Sequence, residues 1–419
     1  MNFQNSTVYY IPVWFDKLKN FVAKLENTKK WEILDEEEVA THYLISYAHS
    51  ISVNTNAFVS YRLKRELIPD IYRFHDMKEF SLHTIPEISE IRFSCFATGV
   101  GFIEVWVNYD DLSLDTIIDF SYSFKKAAKA DRAVRNDGYV IPNGQISLYA
   151  AAKSLIPEDS DAEIFFTRRA DYKYECLCFH KIKISTDEPN IDDKLCRLRR
   201  SYNTGFEVSE TGTSEYDMIY SPYPHDKWSG CQEGLVNMVY ETGNPQTDKF
   251  TNGYKFVQLS IDYNFLYLML LNQRFSAIKY IDDVARADEM SQKMTDELNH
   301  RIVKLKTAFS FRVISDDLIF QNVYAKMYRI LDIDHLLEDI QDNEEQMAML
   351  RNVGAVKAEK DASIMLMGIS VLSVFSALID ATSFFDRWGM GNMIPPIVST
   401  CLAVGTLLFF LHWRNKSNR

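Results

Sequence analysis

The chain has 419 residues and a formal charge of -12, from 46 Lys and Arg against 58 Asp and Glu, with a slightly negative mean hydropathy. That acidic balance argues against a nonspecific nucleic-acid binder, which needs clustered cations to displace counterions, so no nucleic acid is expected as a partner. The six cysteines, Cys95, Cys176, Cys178, Cys196, Cys231 and Cys401, are expected to be reduced thiols of a cytoplasmic body.

Residues 1–245 read as a mixed α/β domain with long loops and many Tyr and Phe, as suits a sensor. The alternation over 8–15 predicts a strand and not a signal peptide, because no basic start precedes an apolar core there; the N-terminus is expected to stay in the cytoplasm. Further strands are predicted at 91–96, 102–107, 164–166 and 172–184, and helices at 111–132, 145–155 and 191–202. Ala97-Thr98-Gly99-Val100-Gly101 reads as a hairpin turn, since a strand follows it where a phosphate loop would lead into a helix. No nucleophile elbow, Walker A loop or metalloprotease His-Glu pair is present, and nothing in the sequence requires an enzyme. Cys176, Cys178 and His180 share one strand face, but no second pair at a zinc-site spacing accompanies them, and core packing is the expected role.

Nine prolines lie between Pro12 and Pro245 and none between 246 and 394, so long helices are expected only in the second part, with 246–361 forming a stalk. Leu266, Leu270, Phe275, Ile278, Ile281 and Val284 carry helical spacing, followed by Leu298, Ile302 and Leu305. Ser315-Asp316-Asp317 is predicted to cap the next helix, and nothing forces a stop before 385, which predicts one helix about 100 Å long. Val323, Ile330 and Leu337, with Ile333, Ile340 and Met347 beside them, repeat every seven residues and call for the preceding helix or other subunits as partners. Asp332, Asp334, Glu338, Asp339 and Asp342 form an acidic stretch on this helix, either a solvated face or a divalent-cation site between subunits.

Two apolar segments, 364–385 and 394–413, follow. Each is about 20 residues, enough to cross a hydrocarbon core of roughly 30 Å. Lys357 and Lys360 precede the first, and Arg414, Lys416 and Arg419 in the basic tail 414–419 follow the second, which places both termini on the cytoplasmic side of the bilayer. Ser363, Met367, Ser370, Ser373, Ala377 and Asp380 fall on one stripe of the first segment. Small and hydroxylated residues let helices pack closely in lipid, but a carboxylate inside a span wants water or a partner, and the stripe is expected to line a pore. Two spans cannot enclose a water path alone, so a homo-oligomer is implied.

This arrangement resembles the CorA family of magnesium channels, over 254–419 in architecture and over 388–395 in motif. The family's aromatic-Gly-Met-Asn turn is matched by Trp388, Gly389, Met390 and Asn392, with Gly391 as one extra residue before the asparagine. The resemblance implies a funnel-shaped homopentamer in the inner membrane that passes or is closed by Mg2+ or another divalent cation. The insertion displaces the Asn392 amide, so magnesium selectivity is not implied with it. The large N-terminal body makes the chain similar to the CorA-like effectors of type III CRISPR systems, which implies antiviral defence and gating by SAM-AMP, a conjugate of S-adenosylmethionine and AMP. A ligand with an adenine and a phosphate wants an aromatic face and cations, offered by Arg168, Arg169, Tyr172 and Lys173 or by Arg197, Arg199, Arg200 and Tyr202, unless these are simply an exposed strand end and helix face. A constitutive divalent-cation transporter and a membrane-tethered enzyme or adaptor remain the alternatives.

Overall fold

The computed structural model describes residues 5–39, 43–68, 86–109, 112–127, 148–165, 176–184, 188–207, 217–285, 298, 300–309, 311, 313–342, 362–366, 368–370 and 373. They fall into two units, Met1–Ile340 and Gln341–Arg419.

Among the described residues of the first unit, ten strands join one sheet around β1 (Ser6–Trp14), whose nine positions are all buried. β1 lies between β5 (Val100–Asn108) and β7 (Leu177–Ile184), antiparallel to both, and also touches the short β6 (Glu163–Ile164). On one side the order continues through β4 (Glu87–Phe96), β3 (Phe58–Leu63) and β2 (Trp31–Ile33), each antiparallel to the last. On the other, β10 (Gly234–Tyr240) runs parallel to β7, and β9 (Asp226–Cys231) and β8 (Met218–Tyr223) complete an antiparallel edge. Proline in a central strand removes a ladder donor. Pro12 is tolerated because it falls between Tyr10, the last residue paired with β7, and Val13, the first paired with β6.

A buried strand with both faces covered needs a layer on each side. Tyr9, Ile11, Val13 and Phe15 face a core built with Phe21 and Leu25 of α1 (Leu18–Asn27), Ile117 and Phe124 of α2 (Leu114–Ala127), Leu155 of α3 (Leu148–Leu155), and Leu195 and Leu198 of α4 (Ile191–Arg200). The opposite face lies under α5 (Tyr254–Ser260), α6 (Asp262–Ala285) and α7 (Leu318–Ile330). Aromatic rings interlock there: Tyr10 with Tyr267 at 5.3 Å, Phe102 with Phe275 at 5.9 Å and Trp228 with Tyr263 at 4.6 Å between centroids. Residues 262–280 are buried all round, which marks α6 as an interior helix. α7 buries Phe320, Val323, Tyr324, Met327 and Ile330 as one stripe, and its Asp317 cap accepts from the Phe320 amide at 2.8 Å.

The helices between 254 and 330 thus lie on the sheet, where the sequence suggested a stalk. The unbroken helix expected from Asp317 also stops, at Ile330. Asp332 adopts a left-handed φ of 58°, and the Leu331 carbonyl is taken by Arg274 Nη1 at 2.6 Å, so it is lost to the helical ladder before a new helical segment runs over 333–342. Val323 and Ile330 of the heptad seam find their partners within this unit; Met347 and the remaining stalk, 343–361, lie outside the described residues.

In the second unit, 362–366, 368–370 and 373 are helical and exposed. Met365, Leu366 and Ile369 are 73, 65 and 56 % accessible. Ser370 and Ser373 donate to the carbonyls of Leu366 and Ile369, four residues back, at 2.8 and 2.9 Å. Among the described residues no helix is long and apolar enough to cross a membrane; apart from these few positions, both apolar segments, 364–385 and 394–413, lie outside them.

The β4–β5 turn holds Gly99 at φ +86°, where an added Cβ would lie 2.6 Å from the Phe15 carbonyl. Gly243 has φ +76° with nothing within 4 Å. Chemical denaturation should therefore show Gly99→Ala costing about 2–3 kcal/mol and Gly243→Ala only about 1 kcal/mol, since both pay the left-handed strain and one adds a backbone clash.

Candidate functional site

Strand alternation places an unusual set of polar side chains on the face beneath α5 and α6. Glu90, Arg92 and Ser94 of β4, Glu104 and Trp106 of β5, and Lys181 of β7 lie there, all buried. Glu90 accepts from Arg92 Nε and Nη2 at 2.9 and 3.0 Å and from Arg62 Nε at 2.5 Å; Arg62 also reaches Glu38. Burial works to raise the Glu90 carboxyl, but Arg92 and Arg62 outweigh it and hold it below the usual range. Glu104 accepts from Ser94 Oγ at 2.5 Å and from Asn264 Nδ2 of α6 at 3.0 Å, and the Asn264 carbonyl oxygen accepts from Tyr10 at 2.6 Å. Here burial wins and pushes the carboxyl up.

Lys181 has no carboxylate within ion-pair distance among the described residues. Its Nζ sits 4.0 Å from the Trp106 ring centroid and donates to Ser260 Oγ at 3.1 Å, while Arg92 Cζ lies 4.6 Å from the same ring. Burial, with Arg92 next, drives the ammonium well below its ordinary pKa. A neutral lysine is a nucleophile where substrate reaches it. Lys181 is fully buried, so its role here is to tie β7 to α5. Nearby, Asp226 accepts from Lys255 of α5 at 2.8 Å and from Asn237 at 2.6 Å.

A second feature opens to solvent. A groove of about 1400 Å3 runs between α1, the 55–61 stretch, Ala97 and the 300–304 segment, and Lys17, Lys19, His300, Arg301 and Lys304 line it.

Among the described residues, those singled out in the sequence are engaged in structural contacts rather than gathered round an open site. Arg197 is held by Asp193 at 2.7 Å and by the carbonyls of Asn203 and Phe206, both at 2.7 Å. Arg199 is buried against Ser229 at 2.8 Å and Asp217 at 3.2 Å, and Arg200 meets Asp217 at 2.5 Å. Arg199 and Arg200 clamp the end of α4 to β9 and to Asp217 just before β8, while Arg197 closes the turn after α4, where Tyr202 rests on Phe206 at 5.9 Å. Arg168, Arg169, Tyr172 and Lys173 lie outside the described residues. Asp332 contacts His335 at 2.5 Å, while Asp334, Glu338, Asp339 and Asp342 are exposed. Among the described residues no group of three His, Cys, Asp or Glu side chains is placed to hold a metal. Ser363, Ser370 and Ser373 are on the exposed helix; Met367, Ala377, Asp380, Trp388, Gly389, Met390 and Asn392 lie outside the described residues.

Cys176, Cys178 and His180 are buried in the core. His180 Nδ1 meets Thr7 Oγ1 at 2.7 Å and Nε2 faces Ser121 Oγ at 3.4 Å. Burial, helped by Lys125, lowers its pKa to about 3. The buried belt itself escapes a strand-by-strand reading, in which Glu90, Arg92 and Glu104 pass for a solvated face. A signal was present in α6, where Asn264, Asn272, Gln273 and Arg274 interrupt an apolar stretch too long to be exposed.

Two measurements follow from these burials. Because the folded pKa of His180 lies below its ordinary 6.5, the unfolded chain binds the extra proton as pH falls, and stability present above 6.5 is lost on acidification. His180→Gln should lose less, by about 2 kcal/mol, between about pH 7.5 and about pH 5. Lys181→Met should raise the unfolding free energy at neutral pH by about 1–3 kcal/mol. That gain should shrink as pH climbs toward 10.5, the ordinary lysine value, where the amine is neutral in both states. No protein-family model, no curated protein and no solved structure matches the chain.

Proposed function

We propose that this chain is the subunit of a homo-oligomeric, pentameric cation channel of the inner membrane, with the 1–340 unit as its cytoplasmic sensor. The observation that carries the proposal is Asp380: a carboxylate inside an apolar segment, on one helical stripe with Ser363, Met367, Ser370, Ser373 and Ala377. Repeated by symmetry, such a stripe encloses a polar, negatively charged path. Two features of the described residues support it. The helical positions described between 362 and 373 expose Met365, Leu366 and Ile369, an apolar surface that calls for lipid or neighbouring helices. The Ser370 and Ser373 hydroxyls bond back to carbonyls of their own helix, the way hydroxyls are satisfied without water.

Trp388, Gly389, Met390 and Asn392 would form the pore mouth, where the Asn392 amide meets a hydrated Mg2+ or another cation. Gating by SAM-AMP belongs to this proposal through the resemblance to the CRISPR-associated effectors. Cation flux through the purified protein in liposomes tests it, at low and high magnesium, with and without adenine-nucleotide signals including SAM-AMP. Ligand-dependent flux is expected. Flux governed by magnesium alone points to a constitutive transporter, and no flux under any condition to a tethered enzyme or adaptor. Asp380→Asn should lower cation conductance several-fold, and conductance and selectivity equal to the wild type would remove Asp380 from the pore.

A further inference from the structure

The groove beside α1 has chemistry that neither the fold nor conduction uses. Its lining carries Lys17, Lys19, Arg301 and Lys304 against two carboxylates, Asp16 and Glu26, in a chain whose overall charge is -12. Both carboxylates are engaged: Glu26 accepts from Tyr61 at 2.7 Å, and Asp16 faces Arg301 at 3.5 Å, whose guanidinium also donates to Asp283 at 3.2 Å. The Lys19 and Lys304 side chains have neither an ion pair nor a hydrogen bond among the described residues. The Asp16–Arg301 contact brings the start of α1 and the 300–304 segment together at one end of the groove, and these two stretches carry the cations. α1 begins at the same end with no side chain capping its first amides, which adds the positive end of a helix to the same spot.

Beside Thr55, Asn56, Tyr61 and His300, the lining has an apolar part. Val22 and Ala23 of α1, Val59 of β3 and Ile33 of β2 form the floor, and Ile33 stands 58 % exposed. An apolar floor beside a cationic end selects a ligand with the same two halves. The volume of about 1400 Å3 exceeds the several hundred Å3 of an ordinary small-molecule pocket and suits an extended molecule.

We propose that this groove binds an amphipathic organic phosphate, its anionic group held by Lys19 and Lys304 and its apolar body laid on Val22, Ala23 and Ile33. Two sources share that chemistry, a soluble aryl phosphate and an acidic phospholipid. Isothermal titration of the full chain in phosphatidylcholine nanodiscs distinguishes them, with 1-naphthyl phosphate, dihexanoyl phosphatidic acid and inorganic phosphate as probes and empty discs as the blank. Saturable binding of one organic phosphate, at least tenfold tighter than inorganic phosphate, is expected; which of the two binds more tightly names the source. Lys19→Glu with Lys304→Glu should weaken it at least tenfold, and Lys249→Glu, at an exposed position outside the groove, should leave it unchanged. If the paired reversal lowers the unfolding midpoint, Ala23→Trp decides, because it fills the floor and keeps every charge. Failure of both organic probes to bind, equal affinity for inorganic phosphate, or affinity indifferent to the groove variants would each overturn the proposal. The titration reads binding alone, so its result is independent of whether the protein conducts ions.

Discussion

The first unit depends on how ionisable groups are neutralised under α6. A sheet covered on both faces leaves no water for Glu90, Arg92, Glu104 and Lys181, and a buried charge costs several kcal/mol unless it is paired or gives up its proton. The groups solve this in different ways. Glu90 is held ionised in a fork of two arginines, Glu104 is driven toward its protonated form and meets Asn264, and Lys181 is driven toward its neutral form and rests on Trp106. Because Asn264 belongs to α6 and Ser260 to α5, the solution fixes where those helices cross the sheet. Apolar packing such as Phe102 on Phe275 supplies the bulk of the burial, but it is indifferent to register; the polar contacts are not.

Much of the sheet was legible from local pattern. The strands at 91–96 and 102–107, the turn at Ala97–Gly101 and the helix over 191–202 appear close to their expected bounds, because alternation, glycine placement and an amphipathic stripe are all short-range signals. The cap at Asp317 was legible for the same reason. What was not legible depends on distant partners. A seven-residue repeat looks the same whether Val323 and Ile330 meet another subunit or β8 and β9 of their own chain. The end of α7 depends on Arg274, more than fifty residues earlier, reaching the Leu331 carbonyl.

The arginine group at 197–200 carries the same lesson for sites. Basic residues close in sequence look like a ligand cradle until Asp217, just before β8, and Ser229 of β9 occupy Arg199 and Arg200. The groove shows the converse. Lys19 and Lys304 are nearly three hundred residues apart, and no window of sequence contains both. Nothing in their local pattern separates them from any other surface lysine.

The placement of β1 at the centre of the sheet, with β5 on one side and β7 on the other, also bears on how the chain is made. Its first strand meets partners about a hundred and then about 170 residues later, at registers such as Val8–Trp106 and Val8–Phe179. During synthesis a strand of nine largely apolar residues therefore waits unpaired until β5 emerges, and its second edge stays open until β7 does. Long-range pairing of this kind closes slowly and leaves sticky edges exposed in the meantime. Until both partners have emerged, β1 is open to pairing with the wrong strand or with another chain.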